Sequence, residues 1–195
     1  MISVKDASMN FGAQMLFENV NVVFNSGERY GLTGPNGSGK STFMKLVSGD
    51  LEPVSGRVQR PKKLGILRQD HFIYESERVL DVVMMGNQGL WKAMSEKEGL
   101  LAEGYDLTDE QGVRLGELEM VIAEEDGYMA EPEAAELLEG LGIETQLHEG
   151  PLSSITGGDK VRVLLAQALF GSPDGLLLDE PTNALDIASI RWLES

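Results

Sequence analysis

One glycine-rich stretch of the sequence has the residue types and the spacing that hold a phosphate group. Residues 34 to 41 read GPNGSGKS, which fits the pattern G-x-x-x-x-G-K-[ST] without a mismatch. In such a loop successive backbone amides point inward at oxyanions, and the following helix adds the positive end of its dipole. Lys40 is expected to reach the β- and γ-phosphates, and the Ser41 hydroxyl is expected to contact Mg²⁺. The predicted nucleotide-binding residues of this loop are Gly34, Pro35, Asn36, Gly37, Ser38, Gly39, Lys40, Ser41 and Thr42.

A pair of carboxylates ends a short apolar run near the end of the sequence. The run GLLLDE predicts a buried parallel strand that finishes in Asp179 and Glu180. At such a strand end Asp179 is placed to hold Mg²⁺ through a water. Glu180 is the candidate general base that aligns and deprotonates the attacking water. An acidic strand end exposed to solvent is the alternative, and the glycine loop elsewhere in the chain disfavours it.

The elements around the glycine loop have to form a strand, a loop and a helix in that order. RYGLT is predicted to enter the loop as a strand, and KSTFMKLV to leave it as a helix. The segments ISVK, NVNVVF, SGRVQ and KKLGILRQ predict further strands, separated by turn residues. A glycine-rich turn that binds nothing is the alternative interpretation of the loop, and this context argues against it.

From about residue 80 the pattern becomes helical. VLDVVMMGNQGLWKAMSEKEGLLAE and TDEQGVRLGELEMVIAEEDG predict two helices joined by a short loop, which is an antiparallel hairpin. Thr108 and Gln111 have the spacing of a capping box at the start of the second helix. EPEAAELLEGLG predicts a further helix that ends at Gly140 or Gly142, and DKVRVLLAQALF predicts an amphipathic one.

Length and composition are those of an ordinary globular protein. The 195 residues can bury one good-sized core, and 42% of them are hydrophobic and 25% charged. No apolar window is long enough for a membrane span, and the N-terminus has no signal-peptide pattern. The chain has no cysteine, which excludes disulfides and thiolate metal sites. We therefore expect a cytoplasmic protein.

The net charge of −16 is concentrated in one internal block. Residues 70 to 150 contain 21 Asp and Glu against 4 Lys and Arg, whereas the rest of the chain is close to neutral. A solvated helical surface is the simplest interpretation of such a block. Acidic surfaces repel nucleic acid phosphates unless they point away from them.

Five motifs, taken in their order along the chain, resemble the ATP-binding cassette (ABC) family. They are GPNGSGKS, RQD, ITGGDKVR, LLLDEPT and NALD. The resemblance implies an α/β fold, a P-loop NTPase of the ABC type. Its nucleotide-binding domain would have an antiparallel β subdomain, a helical subdomain and an inserted helical hairpin arm. ATP and Mg²⁺ are the cofactors that the resemblance implies.

The same resemblance assigns roles to residues outside the glycine loop. Gln69 resembles the Q-loop glutamine, which contacts Mg²⁺ and the attacking water. Residues 156 to 159 resemble the signature motif, which closes on the γ-phosphate of an opposing cassette. Phe11 lies where the family has an aromatic residue stacked on adenine, and Asp186 resembles the D-loop aspartate. The implied catalytic residues are thus Glu180, Gln69 and Lys40, the implied metal ligands are Ser41, Gln69 and Asp179, and the implied signature residues are Thr156, Gly157, Gly158 and Asp159.

Two features depart from the family pattern. The signature begins with Ile155 and Thr156 where Leu and Ser are usual, and Asp159 stands where glutamine is common. Thr156 keeps a hydroxyl donor, and Asp159 at the start of a helix favours the helix dipole. The family's switch histidine follows the acidic strand end, so neither His71 nor His148 can fill that role. We expect His71 in a loop beside the Q-loop and His148 on the surface.

The helical insertion resembles the arm of ABC-F proteins, and the match is close to their YbiT-like branch. ABC-F proteins are soluble twin-cassette ATPases that act on ribosomes in translation. This resemblance implies three parts: an ATP-binding core over 1–80, an arm over 81–128, and a helical subdomain with the signature and acidic strand end over 129–195. It further implies a second cassette, in the full-length chain or in a dimer, and ribosomal partners (rRNA, ribosomal proteins and tRNA).

The resemblance also leaves alternatives. The chain would be an N-terminal cassette fragment cut before the switch histidine, and alone it would be nearly inactive as an ATPase. The acidic arm suits rRNA poorly, so it would touch ribosomal proteins, or other parts of the protein would supply the basic contacts. The ATP-hydrolysing subunit of a membrane transporter and an ATP-binding clamp without useful turnover stay open. A GTPase is disfavoured because no [NT]-K-x-D motif occurs.

Overall fold

A computed structural model describes residues 1–12, 14–67, 72–102 and 107–179, which divide into two compact units. The first unit consists of Met1–Leu67 and Ser172–Asp179. The second consists of the described residues between 72 and 171. Each unit has its own buried core, and each carries a different part of the predicted site.

An antiparallel sheet of three strands forms one layer of the first unit. Strands β1 (Ile2–Phe11), β2 (Gln14–Phe24) and β3 (Ser55–Gln59) are ordered β2-β1-β3. Val4 pairs with Val22 on one side and with Val58 on the other. Gly56 has φ +83°, and a Cβ there would lie 2.3 Å from the Asp6 carbonyl oxygen, so glycine is required beside the irregular step in β1. The predicted antiparallel β subdomain is present, with β1 and β2 longer than predicted.

A parallel pair of strands forms the second layer. Strand β4 (Leu64–Leu67) pairs with β5 (Gly175–Leu178) in a parallel register that joins Leu64 to Gly175 and Leu67 to Leu178. Helix α1 (Lys40–Ser48) packs on the same core as both sheets. That core contains Ile2, Val4, Ala7, Phe43, Leu46 and Val47, with Leu64 and Leu177 packed against it. The parallel strand predicted from GLLLDE is confirmed.

The strand predicted at RYGLT is wrong. Residues 28–35 form no strand, and Tyr30 and Leu32 are 50% and 49% exposed. The Tyr30 ring packs edge-on against Phe24 at a centroid distance of 5.1 Å, and its hydroxyl oxygen accepts a hydrogen bond from the Asn25 amide at 3.1 Å. The tyrosine therefore closes the turn after β2. An apolar run becomes a strand only where a neighbouring strand supplies hydrogen bonds and packing.

The second unit is helical. It contains α2 (Val79–Met84), α3 (Gln88–Ala102), α4 (Asp109–Glu124), α5 (Ala130–Gly140) and α6 (Gly157–Leu169), with short 3₁₀ turns at Phe72–Tyr74, Gly127–Met129, Thr145–Leu147 and Leu152–Ser154. Its fully buried side chains include Val79, Val82, Val83, Met84, Leu138, Ile143, Leu152 and Leu165. Helices α2, α5 and α6 share this core. None of the helices in the described part of the chain is long and apolar enough to cross a membrane.

The first helix of the predicted hairpin is in fact two helices, α2 and α3. A Cβ at Gly86 would lie 1.9 Å from the carbonyl oxygen of Gln167, so the backbone of the break is packed directly against α6. The Asn87 side-chain oxygen then accepts a hydrogen bond from the Leu90 amide at 3.1 Å, as an N-cap residue does. The sequence prediction of one continuous helix missed this restart.

The antiparallel hairpin itself is confirmed for α3 and α4. Arg114 bonds Glu96 through two nitrogens at 2.6 and 2.8 Å, and Lys97 lies 2.7 Å from Glu119. The capping box is also confirmed, because the Gln111 amide donates to the Thr108 hydroxyl at 3.3 Å and the Thr108 amide donates to the Gln111 side chain at 2.9 Å.

The prediction of His148 on the surface is wrong. This residue is 2% exposed, and its Nε2 lies 3.1 Å from the carbonyl oxygen of Ile143. Its own carbonyl accepts a hydrogen bond from the Leu80 amide at 3.2 Å. A histidine can be buried when both its ring and its backbone have partners. His148 is therefore a structural residue of the second unit, and His71 lies outside the described residues.

Candidate nucleotide-binding site

Helix α1 begins directly after the glycine loop, and the last glycine of the loop is its N-cap residue. Gly39 is the N-cap residue with a left-handed φ of 90°, a conformation that a residue with a side chain rarely adopts. No side chain within the described residues caps this helix, and its first turn contains no acidic residue. As in any α-helix, the backbone amides of the first turn have no acceptor within the helix itself, and they lie at the positive end of the helix dipole. An anion is the partner that this arrangement favours.

The loop before α1 is closed on itself. The Ser38 amide donates to the Pro35 carbonyl at 3.2 Å, and Gly37 has φ +81°. A Cβ at Gly34 would lie 2.9 Å from the Ser38 hydroxyl oxygen, so the two ends of the loop approach closely. The residues of the predicted phosphate loop thus form a tight turn, in which the left-handed φ of Gly37 favours glycine.

The Lys40 ammonium contacts the loop. Its Nζ donates hydrogen bonds to the carbonyl oxygens of Gly34 at 2.9 Å and Pro35 at 3.0 Å. A charged phosphate oxygen is a stronger acceptor for an ammonium than a neutral carbonyl. The lysine is therefore beside the loop and can exchange these contacts for phosphate contacts.

Helix α1 is fixed by one face and exposes the other. Phe43, Leu46 and Val47 are buried, and the Phe43 ring lies edge-on to Phe17 at a centroid distance of 5.8 Å. Ser41 on the opposite side is exposed. The core thus holds the helix rigidly while the hydroxyl that is predicted to bind Mg²⁺ faces outward.

Two parallel strands end side by side at the edge of the sheet where Asp179 lies. Leu67 and Leu178 are register partners at the carboxyl ends of β4 and β5. Asp179 follows β5 directly and is half-buried. Ligands of open α/β sheets bind at the carboxyl ends of the strands. Glu180 and Gln69, which follow these strands in the sequence, lie outside the described residues, as does Asp186.

Phe11 is the last residue of β1 and pairs with Gln14 across the hairpin. Its side chain is 57% exposed, so an aromatic face is accessible at this end of the strand. Exposure is compatible with stacking on a base, and the predicted contact with adenine stays a prediction.

The predicted signature residues form the start of α6 in the second unit. Thr156 is the N-cap residue, and its hydroxyl accepts a hydrogen bond from the Asp159 amide at 3.4 Å. The same hydroxyl donates to an Asp159 carboxylate oxygen at 2.8 Å. Gly157 and Gly158 are exposed, with nothing within 4 Å of a Cβ added at either one. Asp159 lies in the first turn, where a carboxylate favours the helix dipole.

The protein groups in the first unit fit Mg²⁺ bound together with phosphates. Mg²⁺ is usually held by one or two protein oxygens and by substrate phosphates, and it keeps several waters. Ser41 and Asp179 supply oxygen ligands of this kind. Among the residues that the structure describes there is no cluster of three or more metal-ligating side chains, which a dedicated all-protein site would need.

Arg78 is the centre of a group of ion pairs in the second unit that was not predicted from the sequence. Arg78 bonds Asp81 and Glu149 at 3.0 Å each, and it also bonds Glu131. Burial lowers the pKa of Arg78, but the hydrogen bond with Glu131 and the other carboxylates more than compensate and raise it. Burial raises the pKa of Asp81, although Arg78 opposes this. The signal in the sequence was Arg78, one of only four basic residues inside the acidic block.

Known protein families and structures match this chain over most of its length. A family model described as ABC transporter matches residues 17–183. The probable ATP-binding protein YbiT of Escherichia coli O157:H7 is 51% identical over 196 residues, which is 100% of this chain and 37% of YbiT. ABC transporter F family member 4 of Arabidopsis thaliana is 35% identical over 99% of this chain and 27% of its own length. The chain therefore spans about a third of these relatives.

A solved structure supports the same fold. The structure described as the dimeric post-hydrolysis state of the ATP-binding cassette MJ0796 bound to ADP and Pi matches with a TM-score of 0.69. The match covers 100% of this chain and 82% of that chain at 21% identity. This likeness confirms the predicted α/β cassette fold, and the sequence relatives confirm the resemblance to ABC-F proteins.

Proposed function

The chain belongs to the ABC transporter family, and we propose that it binds ATP with Mg²⁺ and hydrolyses ATP to ADP and phosphate. The observation that carries this proposal is the uncapped start of α1 with Lys40 against the loop. Backbone donors, a helix dipole and a lysine ammonium converge there, and together they suit the β- and γ-phosphates of a nucleotide.

Each predicted site residue has a distinct role in the proposed reaction. Lys40 and the loop amides bind the phosphates and stabilise the charge that develops on the transferred phosphoryl group. Ser41, Asp179 and Gln69 would hold Mg²⁺. When bound, Mg²⁺ neutralises charge on the β- and γ-phosphates. Glu180 takes a proton from the attacking water, and Phe11 stacks on adenine.

A second cassette completes the site. The Thr156 hydroxyl and the amides at Gly157 and Gly158 are accessible at the start of α6, and we propose that they contact the γ-phosphate held by an opposing cassette. The fold likeness to a dimeric cassette supports this arrangement. Because one chain then holds only half of each composite site, the 195-residue chain alone binds Mg·ATP weakly and turns it over very slowly.

We propose that the chain consists of three segments with different functions. Residues 1–80 form the first half of the ATP-binding core, 81–128 the helical arm, and 129–195 the helical subdomain with the signature and the acidic strand end. The pairing of α3 and α4 supports an arm as a separate hairpin.

We further propose that the whole protein is a cytoplasmic ABC-F ATPase that acts on the ribosome in translation. Its similarity to an F family member supports this, as does the helical hairpin between the Q-loop and the signature. The acidic arm favours basic ribosomal proteins over rRNA as its direct contact. The second candidate is the ATP-hydrolysing subunit of a membrane transporter, which the family description favours.

Replacement of the proposed general base, Glu180, tests both the proposed ATP hydrolysis and the proposed action on the ribosome. In the whole protein, Glu180→Gln should lower the ATPase rate about 10²- to 10⁴-fold, because the attacking water loses its base, while ATP binding persists. With hydrolysis blocked, the variant should accumulate on ribosomes in sedimentation with ATP. Glu52→Gln, at an exposed carboxylate of the first unit, is the matched control and should behave like wild type.

The results for Glu180→Gln distinguish the ribosomal ATPase from the two alternative functions. An unchanged ATPase rate would remove Glu180 from catalysis and favour an ATP-binding clamp. A slow variant that releases normally from ribosomes and sediments with membranes would favour the transporter subunit.

A further inference from the structure

A partly buried ion pair joins two parts of the second unit that are far apart in the sequence. The Lys160 Nζ lies 2.7 and 2.8 Å from the two carboxylate oxygens of Glu75. The side chains are 13% and 31% exposed, so the pair is partly shielded from water. The two residues are 85 positions apart in the chain. One ammonium that contacts both carboxylate oxygens in such a place fixes the distance between its two segments more firmly than an exposed pair does.

Both residues are close in sequence to predicted site residues. Glu75 follows the segment of Gln69 in the sequence, directly after the 3₁₀ turn Phe72–Tyr74. Lys160 lies in the first turn of α6, and its amide donates to the Thr156 carbonyl at 2.9 Å. The ion pair therefore attaches the chain that leaves the Q-loop to the turn that presents the signature.

Backbone hydrogen bonds support the same attachment. The Ser153 amide donates to the Glu75 carbonyl at 2.9 Å, and the Leu152 amide donates to the Glu77 carbonyl at 2.9 Å. Further along, the Val79 amide donates to the Gly150 carbonyl at 3.0 Å. The segment before the signature thus runs alongside the segment after the Q-loop, and the ion pair extends this contact to α6 itself.

We propose that Glu75 and Lys160 are a positioning pair, which holds the first turn of α6 against the segment that follows the Q-loop so that Thr156 to Gly158 meet the γ-phosphate in one orientation. This inference rests on the proposed ATPase function. Neither residue touches the nucleotide. A small loss of orientation in groups that contact a transition state lowers the rate strongly, whereas nucleotide binding at the glycine loop is unaffected.

The steady-state test uses the whole protein and compares this pair with a second lysine–glutamate pair. Glu75→Gln and Lys160→Met should each lower kcat about tenfold and leave KM for ATP within about twofold. The double variant should be no slower than either single one, because each change breaks the same contact. Lys160→Arg should keep most of the rate. Lys97→Met and Glu119→Gln, which break the pair between α3 and α4, are matched controls and should keep the wild-type kcat.

A second measurement reads the positioning directly and does not need turnover. Amide hydrogen–deuterium exchange over residues 156–163 should be faster in Glu75→Gln than in wild type and unchanged in Glu119→Gln. If kcat and exchange in Glu75→Gln both match the controls, the inference is overturned. If wild type hydrolyses no ATP, the proposed function fails, and the exchange measurement alone then decides whether the pair holds α6.

Discussion

In the proposed site the Lys40 ammonium contacts the charged phosphates of the nucleotide, whereas the exposed Phe11 ring stacks on its base. Lys40 is fixed by hydrogen bonds to Gly34 and Pro35, so the structure itself shows it beside the loop. Phe11 has no such anchor, and its predicted role depends on a ring that is 57% exposed at the end of β1. The two roles are therefore separable by mutation.

Phe11→Ala should weaken ATP binding without unfolding the protein. Stacking of a base on an aromatic side chain contributes about 1–3 kcal/mol, so Kd for Mg·ATP should rise roughly 5- to 100-fold. The melting temperature should stay close to wild type because the ring is largely exposed. Kd is measured by titration, with Phe11→Trp as the variant that keeps the stacking face. Met15→Ala, at a residue 54% exposed on β2, is the control for loss of exposed apolar surface. An unchanged Kd in Phe11→Ala would remove it from the site.

Among the helices and strands, the sequence correctly predicted those features whose hydrogen bonds join residues close together in the chain. The capping box of Thr108 and Gln111 and the helix after the glycine loop were predictable because their hydrogen bonds lie within a few residues. The break at Gly86 was not, because its cause is the backbone of Gln167 on another helix. The strand predicted around Tyr30 was wrong for a similar reason. A strand needs a neighbouring strand to pair with, and the local sequence does not show whether one is present.

The α3–α4 hairpin should lose stability in acid. Hydrogen bonds from Arg114 lower the pKa of Glu96, and hydrogen bonds from Lys97 and then Tyr128 lower the pKa of Glu119. A carboxyl group whose pKa is lower in the folded state stabilises the fold above its ordinary pKa of 4.5 and loses this contribution as the pH falls through the lower folded value.

This dependence is measurable as a melting temperature against pH. The double variant Glu96→Gln with Glu119→Gln should melt below wild type at neutral pH, and the two proteins should converge as the pH falls well below 4.5. Glu98→Gln, at an exposed carboxylate of α3, should follow wild type throughout. Parallel curves for wild type and the double variant would show that these pairs do not hold the hairpin.

At the scale of the whole molecule, charge and chemistry are divided between the two units. The acidic block of residues 70 to 150 belongs to the helical unit, whereas the glycine loop and Asp179 belong to the sheet unit. The unit that contains the predicted phosphate loop thus lacks the concentrated negative charge that would repel phosphates. This division was visible in the sequence, because it depends only on where the charged residues occur.

The most direct test of the central claim is a titration of this chain with Mg·ATP, comparing two lysines of one helix. Lys40 contacts the loop, and Lys45 is an exposed residue in the last turn of α1. A hydrogen bond to a charged group contributes about 1.5–3 kcal/mol, so Lys40→Met should raise Kd roughly 10- to 100-fold. Lys45→Met should bind as wild type does. Equal affinity of Lys40→Met and wild type would contradict a triphosphate held by this loop.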